Sequence, residues 1–242
     1  MFYMLSCARR TGTLIIQLCP RATEPDREGG RKSIKAMSMH NIRLNGILPP
    51  VTTPFNDAGD VDFEGLSRNI KLYNETGLAG YVALGSNGEA AHLTADERAR
   101  VVEAIKRAAA PGLTVVAGVN ELSTRAAVEA ARRASDAGAD AALVITPYFY
   151  KSSMTSQALA RHFEKVADHS PIPVLIYNVP QNTGVIIAPK TIASLATHPN
   201  IIGVKDSAGN FGAIAETIRL APASFAVLTG NGSILYPSLM MG

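Results

Sequence analysis

A lysine set inside an apolar strand is the first residue of this chain that could do chemistry. It stands in Ile201-Ile202-Gly203-Val204-Lys205-Asp206-Ser207. If Lys205 points into a covered interior, desolvation disfavours its charged form and lowers its pKa. A neutral amine near pH 7 is what a Schiff-base nucleophile requires. The preceding apolar run, Pro173-Val174-Leu175-Ile176-Tyr177-Asn178-Val179-Pro180, carries Tyr177. Neighbouring strands lie about 4.8 Å apart, so inward side chains from both can meet at one rim. A phenol beside an amine can pass protons to a carbinolamine and then to an alkoxide. The third feature is Gly85-Ser86-Asn87-Gly88-Glu89. Its glycines allow close backbone approach, its N–H groups can cradle a carboxylate, and Ser86 and Asn87 add side-chain donors. Each feature has a plainer reading: a lysine that snorkels to water, a core tyrosine, a tight connection into a helix. The lysine and tyrosine together are more specific than either alone.

The elements that must position these residues follow a regular rhythm. Strand-like runs cover 47–55, 80–84, 113–119, 141–147, 173–179, 201–207 and 225–230, and helix-like segments cover 62–76, 94–109, 123–137, 156–168, 189–197 and 210–220. Thr94 with Glu97 has the form of a capping box, and Asp62 and Ser123 are N-cap residues for two more helices. Gly77, Gly112 and Gly138 fall where a helix ends and a left-handed residue is wanted. Almost continuously apolar strands such as Ala142-Leu143-Val144-Ile145 belong to sheets covered on both faces. Strand–helix alternation implies parallel strands with right-handed crossovers. No dinucleotide-type glycine motif follows the first strand, and polar residues gather at the ends of several strands. The expected fold is therefore α/β, a TIM (β/α)8-type barrel, C-terminally truncated after the seventh strand because the sequence ends where a seventh helix is due.

Composition narrows the function classes. Hydrophobic residues make up 47% and charged residues 18%, which excludes global disorder. No apolar run reaches the roughly 18 residues of a membrane span, so no membrane partner is expected. The positive charge behind the net +3 sits in residues 1–39, which hold seven basic and three acidic residues; the rest has 16 against 17 and is close to neutral. Without a basic stripe, nucleic acid is not an expected partner. Cys7 and Cys19 also lie in that segment, leaving the body without thiol chemistry. Residues 1–39 read as a disordered leader before a domain at 40–242, with Met37 or Met39 as a candidate start. The segment matches no complete targeting signal, so the expected location is cytoplasmic, with a mitochondrial one as the alternative.

The motifs Pro50-Val51-Thr52-Thr53-Pro54-Phe55, Gly85–Glu89, Thr146-Pro147-Tyr148-Phe149-Tyr150, Tyr177-Asn178-Val179-Pro180 and Gly203-Val204-Lys205-Asp206-Ser207 resemble one family. It is the dihydrodipicolinate synthase/N-acetylneuraminate lyase family of class I aldolases, and the resemblance runs from about Leu44 to Gly242. It implies an eight-stranded barrel that handles pyruvate through a lysine imine. Lys205 would form the imine, Tyr177 would relay protons, and Ser86 would join that relay. Ser86 and Asn87 would hold the keto-acid carboxylate, Gly203 would leave room beside the lysine, and Thr53 and Ser207 complete the substrate-binding set. The implied partners are a small 2-oxo acid and an aldehyde, with homo-oligomers if the barrel is complete. No cofactor and no metal are implied.

Departures from the family pattern bear on the substrate. Ser86 stands where synthases usually have threonine, and Asn182 stands where they place an arginine for a second carboxylate. The Gly85-Ser86-Asn87-Gly88-Glu89 turn and this asparagine look more like 4-hydroxy-2-oxoglutarate aldolase, which gives pyruvate and glyoxylate. The alternative is 4-hydroxy-tetrahydrodipicolinate synthase, which joins pyruvate to aspartate semialdehyde. Phe149 occupies the place of a tyrosine that family members lend to a neighbouring subunit; Tyr148 and Tyr150 flank it. Three rivals stand outside this reading. A metal-dependent aldolase needs clustered ligands, whereas His40, His92, His162, His169 and His198 read as scattered and exposed. A phosphate-binding barrel could use Thr229-Gly230-Asn231-Gly232-Ser233. An inactive fragment would have the motifs without a closed barrel.

Overall fold

The computed structural model describes residues 42 and 44–241. The expected leader at 1–39, with both cysteines, and His40 lie outside the described residues. Six parallel strands run in sequence order: β1 (Gly80–Ala83), β2 (Thr114–Val119), β3 (Ala141–Ile145), β4 (Val174–Asn178), β5 (Ile201–Asp206) and β6 (Ala226–Thr229). The helices are α1 (Phe63–Tyr73), α2 (Ala95–Ala108), α3 (Thr124–Asp136), α4 (Ser156–His169), α5 (Pro180–Thr183), α6 (Pro189–Leu195), α7 (Phe211–Leu220) and α8 (Leu235–Met240). Sequential parallel order with a helix after each strand is the arrangement of the barrel class.

The run at 47–55, expected as the first strand, is not one. It meets β1 through a single parallel bridge, Pro50 to Val82. Val51 donates its N–H to Val82 and Val82 donates to Pro49, both at 2.9 Å. Pro49, Pro50 and Pro54 have no N–H to give, so the ladder cannot continue. Seven expected strands are thus six strands and one extended segment.

Helix boundaries follow local chemistry. Thr94 Oγ1 accepts from Glu97 N while the Glu97 carboxylate accepts from Thr94 N, closing the capping box. Asp62 and Ser123 cap α1 and α3 through Gly65 N and Ala126 N. Gly77, Gly112 and Gly138 take positive φ at the expected ends. The sheet packs on two sides. Tyr81, Val115, Val144, Ile176 and Val204 face a helix layer that supplies Leu66, Ile70, Val102, Ile105 and Phe163. Val82, Val116, Leu143, Leu175 and Tyr177 face inward, under Ile42, Leu44 and Leu48. Each fully buried aliphatic side chain contributes about 1.5–3 kcal/mol before its entropic cost. No helix among the described residues is long and apolar enough to cross a membrane.

His162 departs from the expectation of exposed histidines. It is buried on α4, with Nδ1 2.9 Å from Thr124 Oγ1 and no partner for Nε2 among the described residues. Burial pushes its pKa down to about 4. The unfolded imidazole takes up a proton near pH 6.5 and the folded one only near pH 4. Between these values the unfolded state binds more protons, so stability falls as pH falls. The expected loss is about 3 kcal/mol across that window. Urea unfolding at stepped pH should show this slope in the unaltered chain and a flatter one in His162→Gln.

Candidate active site

Lys205 reaches the interior because of a bulge. Val174 pairs with Ile201 but Leu175 pairs with Gly203, leaving Ile202 unpaired. Side chains alternate along a strand, so one extra residue exchanges the faces beyond it. Ile201 and Val204 lie in the helix-facing core, while Ile202 packs on the inner cluster with Tyr177. The shift puts Lys205 in register with Tyr177 and Asp206 with Asn178. The Lys205 ammonium lies 4.9 Å from the centre of the Tyr177 ring. Burial holds the lysine pKa below its ordinary value.

On the opposite face the Asn178 amide donates to Asp206 Oδ2 at 2.6 Å, and Asp206 Oδ1 accepts from Ala208 N at 2.9 Å. Asp206 is thereby spent on its own strand end rather than on the lysine. The motif Tyr-Asn on β4 and Lys-Asp on β5 thus forms two face-sorted pairs, one on the inner face and one on the other.

Tyr177 Oη lies 3.5 Å from Ser86 Oγ, a long contact for two hydroxyls. The Ser86 hydroxyl also lies 3.4 Å from Asn87 Oδ1. Residues 86–88 form a single 3-10 turn. The first N–H groups of such a turn have no acceptor within it, which leaves those of Ser86 and Asn87 available to an anion. Leu84 and Glu89 bracket the turn with φ of 56° and 53°. Left-handed backbone costs a non-glycine residue on the order of 1 kcal/mol or more. The strain sits on both shoulders of the surface formed by these N–H groups and the two side chains.

The remaining expected residues divide. Thr53 is buried, and its hydroxyl donates to the Gly88 carbonyl at 2.7 Å, so it fastens the turn from behind. Gly203 sits one inward position below Lys205; a Cβ there would lie 2.5 Å from the Ala226 carbonyl and 2.8 Å from Leu175 Cδ2. The missing side chain therefore lets β5 and its neighbours close up beneath the lysine. Ser207 is buried and adjoins Gly230, where a Cβ would collide with Ser207 Oγ and stand 3.1 Å from Lys205 Cε. Gly230, expected only as part of a candidate phosphate-binding turn, thus lies beside the lysine. Its N–H donates to the Asp206 carbonyl at 2.7 Å, which spends a donor that a phosphate cradle would need.

Around the rim, Gln181 Nε2 donates to the Ser207 carbonyl at 3.1 Å, tying α5 over the lysine strand. Asn182 is exposed. A Cβ on Gly184 would lie 2.9 Å from the Lys151 ammonium, so a cation stands beside the turn that carries Asn182. Phe149 and Tyr150 are both exposed and stack edge to face with centroids 5.0 Å apart, whereas Tyr148 packs against the core. No group of three or more His, Cys, Asp or Glu side chains that could hold a metal occurs among the described residues.

Comparison with known proteins agrees with this fold. A 4-hydroxy-tetrahydrodipicolinate synthase of Methanothrix thermoacetophila is 40% identical over 200 residues, covering 82% of this chain and 66% of the relative. The chain thus spans just under two thirds of the length of that relative. Dihydrodipicolinate synthase from Aquifex aeolicus superposes with a TM-score of 0.77 at 35% identity, covering 81% of this chain and 67% of that one. The chloride-inhibited dihydrodipicolinate synthase from Acinetobacter baumannii, solved with pyruvate, gives 0.78 at 34% identity, covering 81% and 67%. These relatives carry the synthase name, not the 4-hydroxy-2-oxoglutarate aldolase name expected from the Gly85–Glu89 turn and Asn182. With residues 43–242 matching the model of the dihydrodipicolinate synthetase family, and six parallel strands carrying the motifs in order, the chain belongs to that family.

Proposed function

We propose that this chain carries the site of a Schiff-base aldolase or lyase acting on pyruvate or a pyruvate-derived 2-oxo acid. The observation that carries the reading is the half-buried Lys205 amine against the Tyr177 ring, with Ser86 next along the chain of hydroxyls. Neutral Lys205 adds to the C2 carbonyl, giving a carbinolamine. Tyr177 delivers a proton to its oxygen, water leaves, and a protonated imine forms. That imine is itself a cation, and the tyrosine ring is placed to face it. Ser86 and Asn87 hold the carboxylate, and Ser86 returns a proton to Tyr177. Loss of a C3 proton then gives the enamine that adds to an aldehyde; the reverse sequence cleaves an aldol.

For the second substrate, the names of the relatives support aspartate semialdehyde, the 4-hydroxy-tetrahydrodipicolinate synthase reaction. Lys151 supports it too, because an ammonium beside the Asn182 turn can meet a second carboxylate in place of the missing guanidinium. Lys151→Gln should then raise KM for aspartate semialdehyde about tenfold and leave that for pyruvate unchanged. A second reading, cleavage of 4-hydroxy-2-oxoglutarate to pyruvate and glyoxylate, is favoured by Asn182 itself and by the Ser86-Asn87 pair. Initial rates with the two aldehydes as acceptors separate these: preference for glyoxylate overturns the synthase reading.

Incubation with pyruvate and borohydride tests the proposal as a whole. It should add one reduced pyruvyl group at Lys205. An unlabelled chain, under conditions that label a full-length relative, supports the inactive-fragment reading instead.

A further inference from the structure

The turn that would hold the carboxylate is fastened at both shoulders by groups outside it. The Asn120 side-chain amide donates to the carbonyl of Leu84, the first strained residue, at 2.9 Å. Arg98 Nε donates to the carbonyl of Ala90, next to the second strained residue Glu89, at 2.9 Å. Arg98 Nη1 is in turn held by Glu121 Oε1 at 2.7 Å. Asn120 and Glu121 are consecutive in the loop after β2, so one loop reaches both ends of the turn. Gly118 makes room for this: a Cβ there would collide with the Leu84 carbonyl.

Arg98 has no local reason to be where it is. It lies in the first turn of α2, where the helix dipole disfavours a cation. That helix end is already closed by Thr94 and Glu97. Its guanidinium is half-buried, and both its bonds point away from its own helix. We propose that Arg98, Glu121 and Asn120 are positioning residues that hold the Ser86–Asn87 turn in its strained, anion-ready shape. Glu121 acts through Arg98, and Arg98 acts through the Ala90 carbonyl, which fixes the backbone at Glu89. None of the three touches the reacting atoms. The inference rests on the Schiff-base reading for its consequence in catalysis, though not for the fastening itself.

The test uses Glu121→Gln in the full chain, with Ser123→Ala as a stability control. Ser123 caps α3 from the same loop and makes no bond to the turn, so its loss destabilises without unfastening. In Glu121→Gln, the pyruvate concentration for half-maximal borohydride trapping at Lys205 should rise about tenfold, with the saturating rate unchanged. Amide exchange in residues 85–89 should accelerate by a similar factor. Ser123→Ala should leave both readouts as they were. Arg98→Lys, which keeps the charge but loses the fork, should behave like Glu121→Gln. Equal shifts in Glu121→Gln and Ser123→Ala overturn the proposal, as does an unchanged half-saturation in Glu121→Gln. If the unaltered chain is not trapped at all, the Schiff-base reading falls, and exchange at 85–89 still decides the fastening: no acceleration overturns it.

Discussion

Lys205→Arg should retain the fold and lose borohydride trapping completely, with turnover down on the order of 10⁴-fold or more. A guanidinium stays charged at any accessible pH and cannot attack a carbonyl. Lys205→Met gives the same loss without the added bulk next to Gly230. The pH dependence sharpens the expectation. Burial lowers the Lys205 pKa, so the fraction of free amine rises with pH through a value below that of an exposed lysine. The trapping rate should therefore climb at a pH below the ordinary lysine value of 10.5. A rate that climbs only near that value would mean the amine is solvated, and trapping that persists in Lys205→Met would place the nucleophile elsewhere.

Tyr177→Phe should separate imine formation from turnover. The ring remains, still 4.9 Å from the amine, and the packing against Leu143 and Leu175 is kept. What disappears is the hydroxyl that lies 3.5 Å from Ser86 Oγ. General acid–base catalysis by one positioned group accounts for about 10²- to 10⁴-fold in rate, and turnover should fall by that much. Trapping, given time, should still reach the same endpoint at Lys205. The 3.5 Å gap between the hydroxyls is long, and an oxygen of bound substrate can close it. Turnover within a few-fold of the unaltered chain would remove Tyr177 from the relay.

The contrast between the two variants also tests how the site is sorted. Lys205 and Tyr177 share the inner face, while Asn178 and Asp206 share the other and bond to each other. Asp206→Asn should therefore act on the strand end near Ala208, not on the amine.

Much of this was legible in the residues. Apolar runs and capping residues placed all six strands and the main helices to within a few positions, because burial and N-cap hydrogen bonds are local or periodic. The motifs identified the lysine, the tyrosine and the glycine-rich turn. Other features could not be read along the chain. The bulge at Ile202 decides which face Lys205 occupies, and alternation read from Ile201 without it would have turned the amine toward the helices. Prolines at 49 and 50 reduce an apolar run to one bridge, since hydrophobicity does not report a missing N–H. His162 is buried because α3 and α4 pack together over it, which no single helix specifies. Arg98, Asn120 and Glu121 come together from a helix and a loop more than twenty residues apart. Composition and spacing alone determined which chemical groups this protein has and the repeating unit that carries them. Tertiary structure decided which of them meet, because register, bulges and close packing act between segments that the sequence keeps apart.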